Sequence, residues 1–135
     1  MKRVFVDANV FLRFFRKDIE EQRARASRLF HQAAAGELQL VTGPPVLFEV
    51  AWTLRSLYKL PKEECLDVLK AILAFRGLEV SGRSLAEAAL QLATESNQEF
   101  ADSYIAASMQ PSDCEAIATF NRRHFERLGV TVHEF

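Results

Sequence analysis

The amino-acid sequence predicts an α/β fold built on a mostly parallel sheet, and three observations carry that expectation. Five short runs rich in β-branched or aromatic residues are separated by longer helical patterns. Turn residues recur at regular intervals, with no repeat, low-complexity run or Ser/Gly-rich linker between them. The 135 residues, 49% apolar and 26% charged, suffice for one domain with a core of its own. Strands alternating with helices need crossovers that return the chain over the sheet, which implies parallel pairing and helical cover on both faces.

The strand candidates are residues 3–6, 38–41, 78–80, 116–119 and 130–133. A helix is expected to open near Val10, directly after Asp7-Ala8-Asn9. Residues 20–35 are Ala/Arg/Gln-rich and run into Gly36, a helix with its stop signal. Pro45 stands where a first helical turn tolerates proline, and Pro61 repeats the signal after Leu60. Ser84-Leu85-Ala86-Glu87 reads as a capping box, with the serine side chain on the Glu87 amide and the glutamate reaching back to Ser84. Gly77 and Gly129 are expected to close helices. Phe11, Phe14, Phe15, Leu57 and Tyr58 serve either core packing or a partner surface.

The net charge of −1 removes a bulk electrostatic drive toward nucleic acid, so any such contact must be local. Basic residues gather as Arg13, Arg16 and Lys17, as Arg55 and Lys59, and as Arg122 and Arg123; each group also reads as a solvated helix face. The longest apolar stretch, residues 46–54, is interrupted by Glu49 and is too short to span a bilayer. The N-terminus starts directly on a strand-like pattern, with no secretion signal. Cys65 and Cys114 have no Cys or His beside them at metal-ligand spacing, which suggests reduced thiols and a cytoplasmic location.

In open α/β sheets, ligand sites form beyond the carboxyl ends of the strands. Asp7 follows the first strand candidate at once, serving either as an N-cap or as a site carboxylate. Glu49 lies in Val46-Leu47-Phe48-Glu49-Val50-Ala51-Trp52, a helix so apolar that the carboxylate is expected to be buried. It would then be protonated, paired with a distant base, or bound to a metal. Glu99 and Asp102 fall at i, i+3 on one helical face, as dipole-favoured acids of a first turn or as a pair aimed into one pocket. Thr119 and Asn121, two residues apart at a strand end, are expected on one side, although an asparagine there is also an ordinary N-cap. Two carboxylates about 5 Å apart repel by roughly 3 kcal/mol at an effective dielectric near 20, so a cation would stabilise such a cluster. Oxygen donors without His or Cys favour magnesium or manganese over zinc.

The ordered set Val6-Asp7-Ala8-Asn9-Val10, Phe48-Glu49-Val50, Glu99-Phe100-Ala101-Asp102 and Thr119-Phe120-Asn121-Arg122-Arg123-His124-Phe125 resembles a PIN domain. The likeness covers residues 1–135 as one domain and is nearest to the VapC-type toxins of bacterial toxin–antitoxin pairs. It implies a Rossmann-like three-layer α/β/α sandwich with a central five-stranded sheet. It also implies homodimerisation, an antitoxin partner, and cleavage of RNA phosphodiesters with Mg2+ or Mn2+. Asp7, Glu49 and Asp102 match the family's acidic positions, Asn9 and Thr119 its supporting polar residues, and Glu99 a further acid that is usually aspartate. Asn121 departs, since many relatives carry aspartate there, which predicts a weakened second metal position. Arg13, Arg16, Arg122 and Arg123 are candidates for a basic RNA-binding rim.

A dehalogenase-like phosphatase would need a second carboxylate where Asn9 stands. A phospho-receiver domain would need a paired acidic motif and a late lysine, and a P-loop is absent. A non-catalytic PIN-like module that binds RNA or protein is the alternative from another class, with Asn121 as its mark.

Overall fold

The computed structural model describes all residues, 1–135, and the chain forms two compact units, Met1–Arg83 and Ser84–Phe135. In the first unit the order is β1 (Arg3–Phe5), α1 (Ala8–Arg16), α2 (Glu20–Ala34), β2 (Gln39–Thr42), α3 (Pro44–Ser56), α4 (Lys62–Leu73) and β3 (Leu78–Val80). The strands pair in parallel in the order β1-β2-β3, with Phe5 opposite Val41 and Val41 opposite Glu79. Pairing extends one residue past β1, where the Val6 amide donates to the Val41 carbonyl at 2.8 Å.

Leu40, Thr42, Leu78 and Val80 alternate onto a buried face. The buried Thr42 hydroxyl donates to the Val6 carbonyl at 3.2 Å, so it carries no unmet hydrogen bond. Arg3, Phe5 and Glu79 point to the opposite face and are exposed, Phe5 by 62%, so no helix of this unit closes over them.

Phe11, Phe14 and Phe15 of α1 stack with Phe30 of α2 and Phe75, the tightest pair being Phe30–Phe75 at 4.6 Å between centroids. These rings pack within the unit, Phe11 buried and Phe14 and Phe15 half-buried; of the five residues considered for a partner surface, Leu57 is the exposed one. Pro44 and Pro45 occupy the first turn of α3, as expected. At the end of α2, Gly36 takes a φ of +80°. Its amide donates to Ala33 and that of Glu37 to Gln32, both at 3.0 Å, in a Schellman closure. Gly77 does not close α4, which ends at Leu73 and is capped by Ala74. It enters β3 with a φ of +79°, and a Cβ there would collide with the backbone carbonyl of Ala33.

The second unit carries most of α5 (Arg83–Ser96), then α6 (Phe100–Met109) and α7 (Arg122–Arg127). Ala106, Phe125 and Leu128 form its core, with Leu92, Ile117, Val130 and Val132 packed against them. The sheet has three strands and not the expected five, because residues 116–119 and 130–133 contribute one isolated parallel bridge, Ile117 with Val132. Local bonds consume the amides a longer ladder would use. The Val130 amide closes α7 on the Phe125 carbonyl at 3.0 Å, and the Asn121 amide donates to the Thr119 hydroxyl at 3.0 Å. Gly129 ends α7 as predicted. The capping box is not formed as expected: α5 begins at Arg83, which places Ser84 inside the first turn. Arg83 donates to the carbonyls of Leu73 at 2.6 Å and Leu78 at 3.3 Å, which ties the helix start to the entry of β3.

Candidate functional site

Asp7 leaves β1 where strand pairing ends. Its Oδ1 accepts the Ala8 amide at 2.8 Å, so it does act as the N-cap of α1. The residue is exposed, and a cap that uses one carboxylate oxygen leaves the other to solvent. Asn9, also exposed, lines a cavity of about 380 Å³ with Val10 and Arg13 of α1 and Gln22, Arg25, Ala26 and Leu29 of α2; none of these is acidic.

The burial expected for Glu49 is not found. Helix α3 hides Val46, Leu47, Val50 and Leu54, whereas Glu49 shares an exposed stripe with Pro45 and Trp52 at i, i+4, i+7 spacing. Trp52, 61% exposed, raised the apolar count of the helix without entering the core, so the desolvation argument for a partner does not apply. Position still singles the residue out. Helix α3 starts two residues beyond β2 and packs against α1, so Asp7 and Glu49 both follow the carboxyl ends of neighbouring parallel strands.

The basic residues of α1 are engaged within the unit. Arg13 donates to Gln22 at 2.9 Å and to the Tyr58 hydroxyl at 3.0 Å, and lies 3.4 Å from Asp18. Tyr58 donates to Asp18 at 2.8 Å, and Arg16 stands over the Tyr58 ring at 5.2 Å. The Tyr58 hydrogen bond, aided by the charges of Arg13 and Arg16, holds the Asp18 carboxyl below its ordinary value.

In the second unit Glu99 occupies the N-cap position of α6 and not the helix itself, and its carbonyl accepts both the amide and the hydroxyl of Ser103. Asp102 lies in the first turn of α6 with its side chain 23% exposed, and its Oδ2 is 3.2 Å from Nδ1 of His124. Sequence reasoning missed His124 as this partner; the only signal was its place in the first turn after Asn121. Thr119 and Asn121 lie in a turn, not along a strand, and Asn121 stands exposed at the start of α7 with no capping bond from its side chain. Arg122 pairs with Glu134 at 3.0 Å and Glu126 at 3.8 Å, while Arg123 is exposed.

Within neither unit do three His, Cys, Asp or Glu side chains stand close enough to enclose a metal ion. The donors at the predicted positions are carboxylate and amide oxygens, the chemistry that suits a hard divalent cation.

An α/β chain with a parallel sheet and acids at the strand ends is the kind of architecture that PIN domains have. The PIN domain family matches residues 4–130, and the chain belongs to that family, whose members are generally nucleases that use divalent metals. No curated protein matches the chain. Cys65 is buried and Cys114 exposed, neither in a disulfide, and no helix is long and apolar enough to cross a membrane.

Proposed function

We propose that this chain, a single PIN domain over residues 1–135, is an endoribonuclease dependent on Mg2+ or Mn2+, and the toxin of a VapBC-type toxin–antitoxin pair. The observation that carries this reading is Asp7 directly after β1 and Glu49 on the helix that follows the adjacent parallel β2, in a PIN-family chain. Asp7 and Glu49 of the first unit and Asp102 of the second are its catalytic carboxylates. Glu99 and Asn121 complete the metal-binding set, and Asn9 and Thr119 support it. A divalent cation held by these residues would ionise a water and offset charge on the phosphate.

The chain's own residues fix the acids. The bond from the Ala8 amide orients Asp7, and the contact with His124 orients Asp102. Arg122 and Arg123, with Arg13 and Arg16 when released from their internal partners, draw the RNA phosphates. The partners in this reading are RNA, an antitoxin protein and a second copy of the chain, in the cytoplasm.

The test is incubation of structured RNA, transfer RNA included, with manganese, magnesium or chelator, beside Asp7→Ala and Asp102→Ala. Cleavage is expected only with metal and is expected to fall at least about a hundredfold in each variant. Manganese is also expected to raise the melting temperature, because a ligand of the native state stabilises it. Folded wild type that neither cleaves nor gains stability from manganese would be a non-catalytic binding module.

A further inference from the structure

One aromatic ring of the second unit stands almost wholly in water. Phe120 is 92% exposed, in the turn between Thr119 and Asn121, and its ring lies 5.2 Å from that of Phe135, itself 74% exposed. Burying such a ring is favourable, so its exposure forgoes a gain that the chain takes at Phe125. The exposure has a built support. The Asn121 amide is bound to the Thr119 hydroxyl at 3.0 Å, and the Arg122–Glu134 pair at 3.0 Å ties the segment before Phe135 to the start of α7.

The surroundings are charged, not apolar. Arg123 and Arg127 are exposed on the helix that begins two residues after Phe120, beside Arg122, which is paired with Glu126 and Glu134. The same helix sets His124 against Asp102, so the ring is less than two helical turns along the chain from a contact with a proposed catalytic acid. A ring offered to solvent beside guanidinium groups is the combination by which single-stranded nucleic acids are held, one base stacking on the ring while cations meet the phosphates. A duplex keeps its base faces covered and has none to offer.

We propose that Phe120 is a stacking platform for one unpaired RNA nucleobase, a substrate-binding residue that positions the strand by its base. The inference rests on the ribonuclease reading and adds a requirement for unpaired RNA at the site.

The probe is short single-stranded RNA with phosphorothioate linkages that resist hydrolysis, in manganese, read by fluorescence anisotropy with wild type, Phe120→Leu and Phe120→Trp. Phe120→Leu keeps an apolar side chain without a π face and is expected to weaken binding about tenfold, with Phe120→Trp near wild type. The salt dependence is expected to stay unchanged in both, because no phosphate contact is lost. An abasic position moved along the strand is expected to cost wild type about tenfold at one place and Phe120→Leu nothing there.

Equal RNA binding by wild type and Phe120→Leu at matching melting temperatures overturns the proposal and leaves the ribonuclease reading intact. Light scattering in which Phe120→Leu dissolves a wild-type oligomer, with RNA binding unchanged, assigns the ring to an interface between copies and likewise overturns it. Wild type that binds no RNA removes the ribonuclease reading and this inference together.

Discussion

The two units hold their candidate acids in different ways. Asp7 and Glu49 are placed by backbone: each belongs to an element launched from a parallel strand, over a cluster of five phenylalanines in stacked and edge-on contact. Asp102, Thr119 and Asn121 stand on short helices and a turn, around a core of Ala106, Phe125 and Leu128, and Asp102 is steadied by the imidazole of His124. Positions set by a hydrogen-bonded sheet move only when the unit opens. Those set by a few side chains can shift through local opening at lower cost. The comparison teaches that the first unit holds its acids by its backbone ladder and the second by a few side-chain contacts, and that the second also carries the exposed Phe120.

The largest expected effect separates the two cores. Phe11→Ala removes a ring that stacks on Phe30 and Phe75 and is expected to cost about 4 kcal/mol of stability, lost from the whole first unit. Phe125→Ala is expected to cost about 3 kcal/mol and to appear in hydrogen exchange as faster opening of α6 and α7, with β1 and β2 still protected. Uniform deprotection after Phe125→Ala would erase the distinction.

An intermediate effect is expected at the turn. Asn121→Asp adds a carboxylate to an exposed position with no capping bond, and is expected to tighten manganese about fivefold by calorimetry. Unchanged affinity would remove Asn121 from the metal-binding set.

The smallest effect tests the first unit at its rim. Because the Tyr58 hydroxyl lowers the Asp18 carboxyl, its contribution is full above the ordinary aspartate range and is lost as pH falls through the lowered value. Tyr58→Phe is therefore expected to melt below wild type at pH near 7, with the gap closing in acid as pH falls through the lowered aspartate value. A gap that persists in acid would assign the loss to the Arg13 hydrogen bond on the same hydroxyl instead.

What the sequence disclosed was local. Proline in the first turn of α3, Gly36 after α2, Gly129 after α7 and the carboxylate directly after the first strand all act within a few residues, and each stands where its chemistry put it. Residues 78–80 form β3 with the predicted bounds. The misses depend on contacts that no window along the chain contains. Glu49 looked buried because Phe48 and Trp52 flank it, but composition does not tell which stripe of a helix meets the core. Nor does any window along the chain show that Tyr58, distant in sequence, accepts a hydrogen bond from Arg13. Residues 116–119 carry strand propensity, yet the competing turn bond at Thr119 and the closure of α7 at Val130 leave one bridge. Gly77 signalled a helix stop because glycine reports a backbone demand without saying which neighbour makes it.

That neighbour, the Ala33 carbonyl, bears on how the chain can change length. Since the end of α2 rests against the one residue before β3 that has no side chain, the helix cannot gain or lose a residue freely. A single insertion within α2 would turn its end by about 100° and swing a different face onto Gly77. Length variation in this half of the molecule therefore belongs in the loop before α2, because the turn at Gly36, although open around it, holds a left-handed backbone that a side chain would strain.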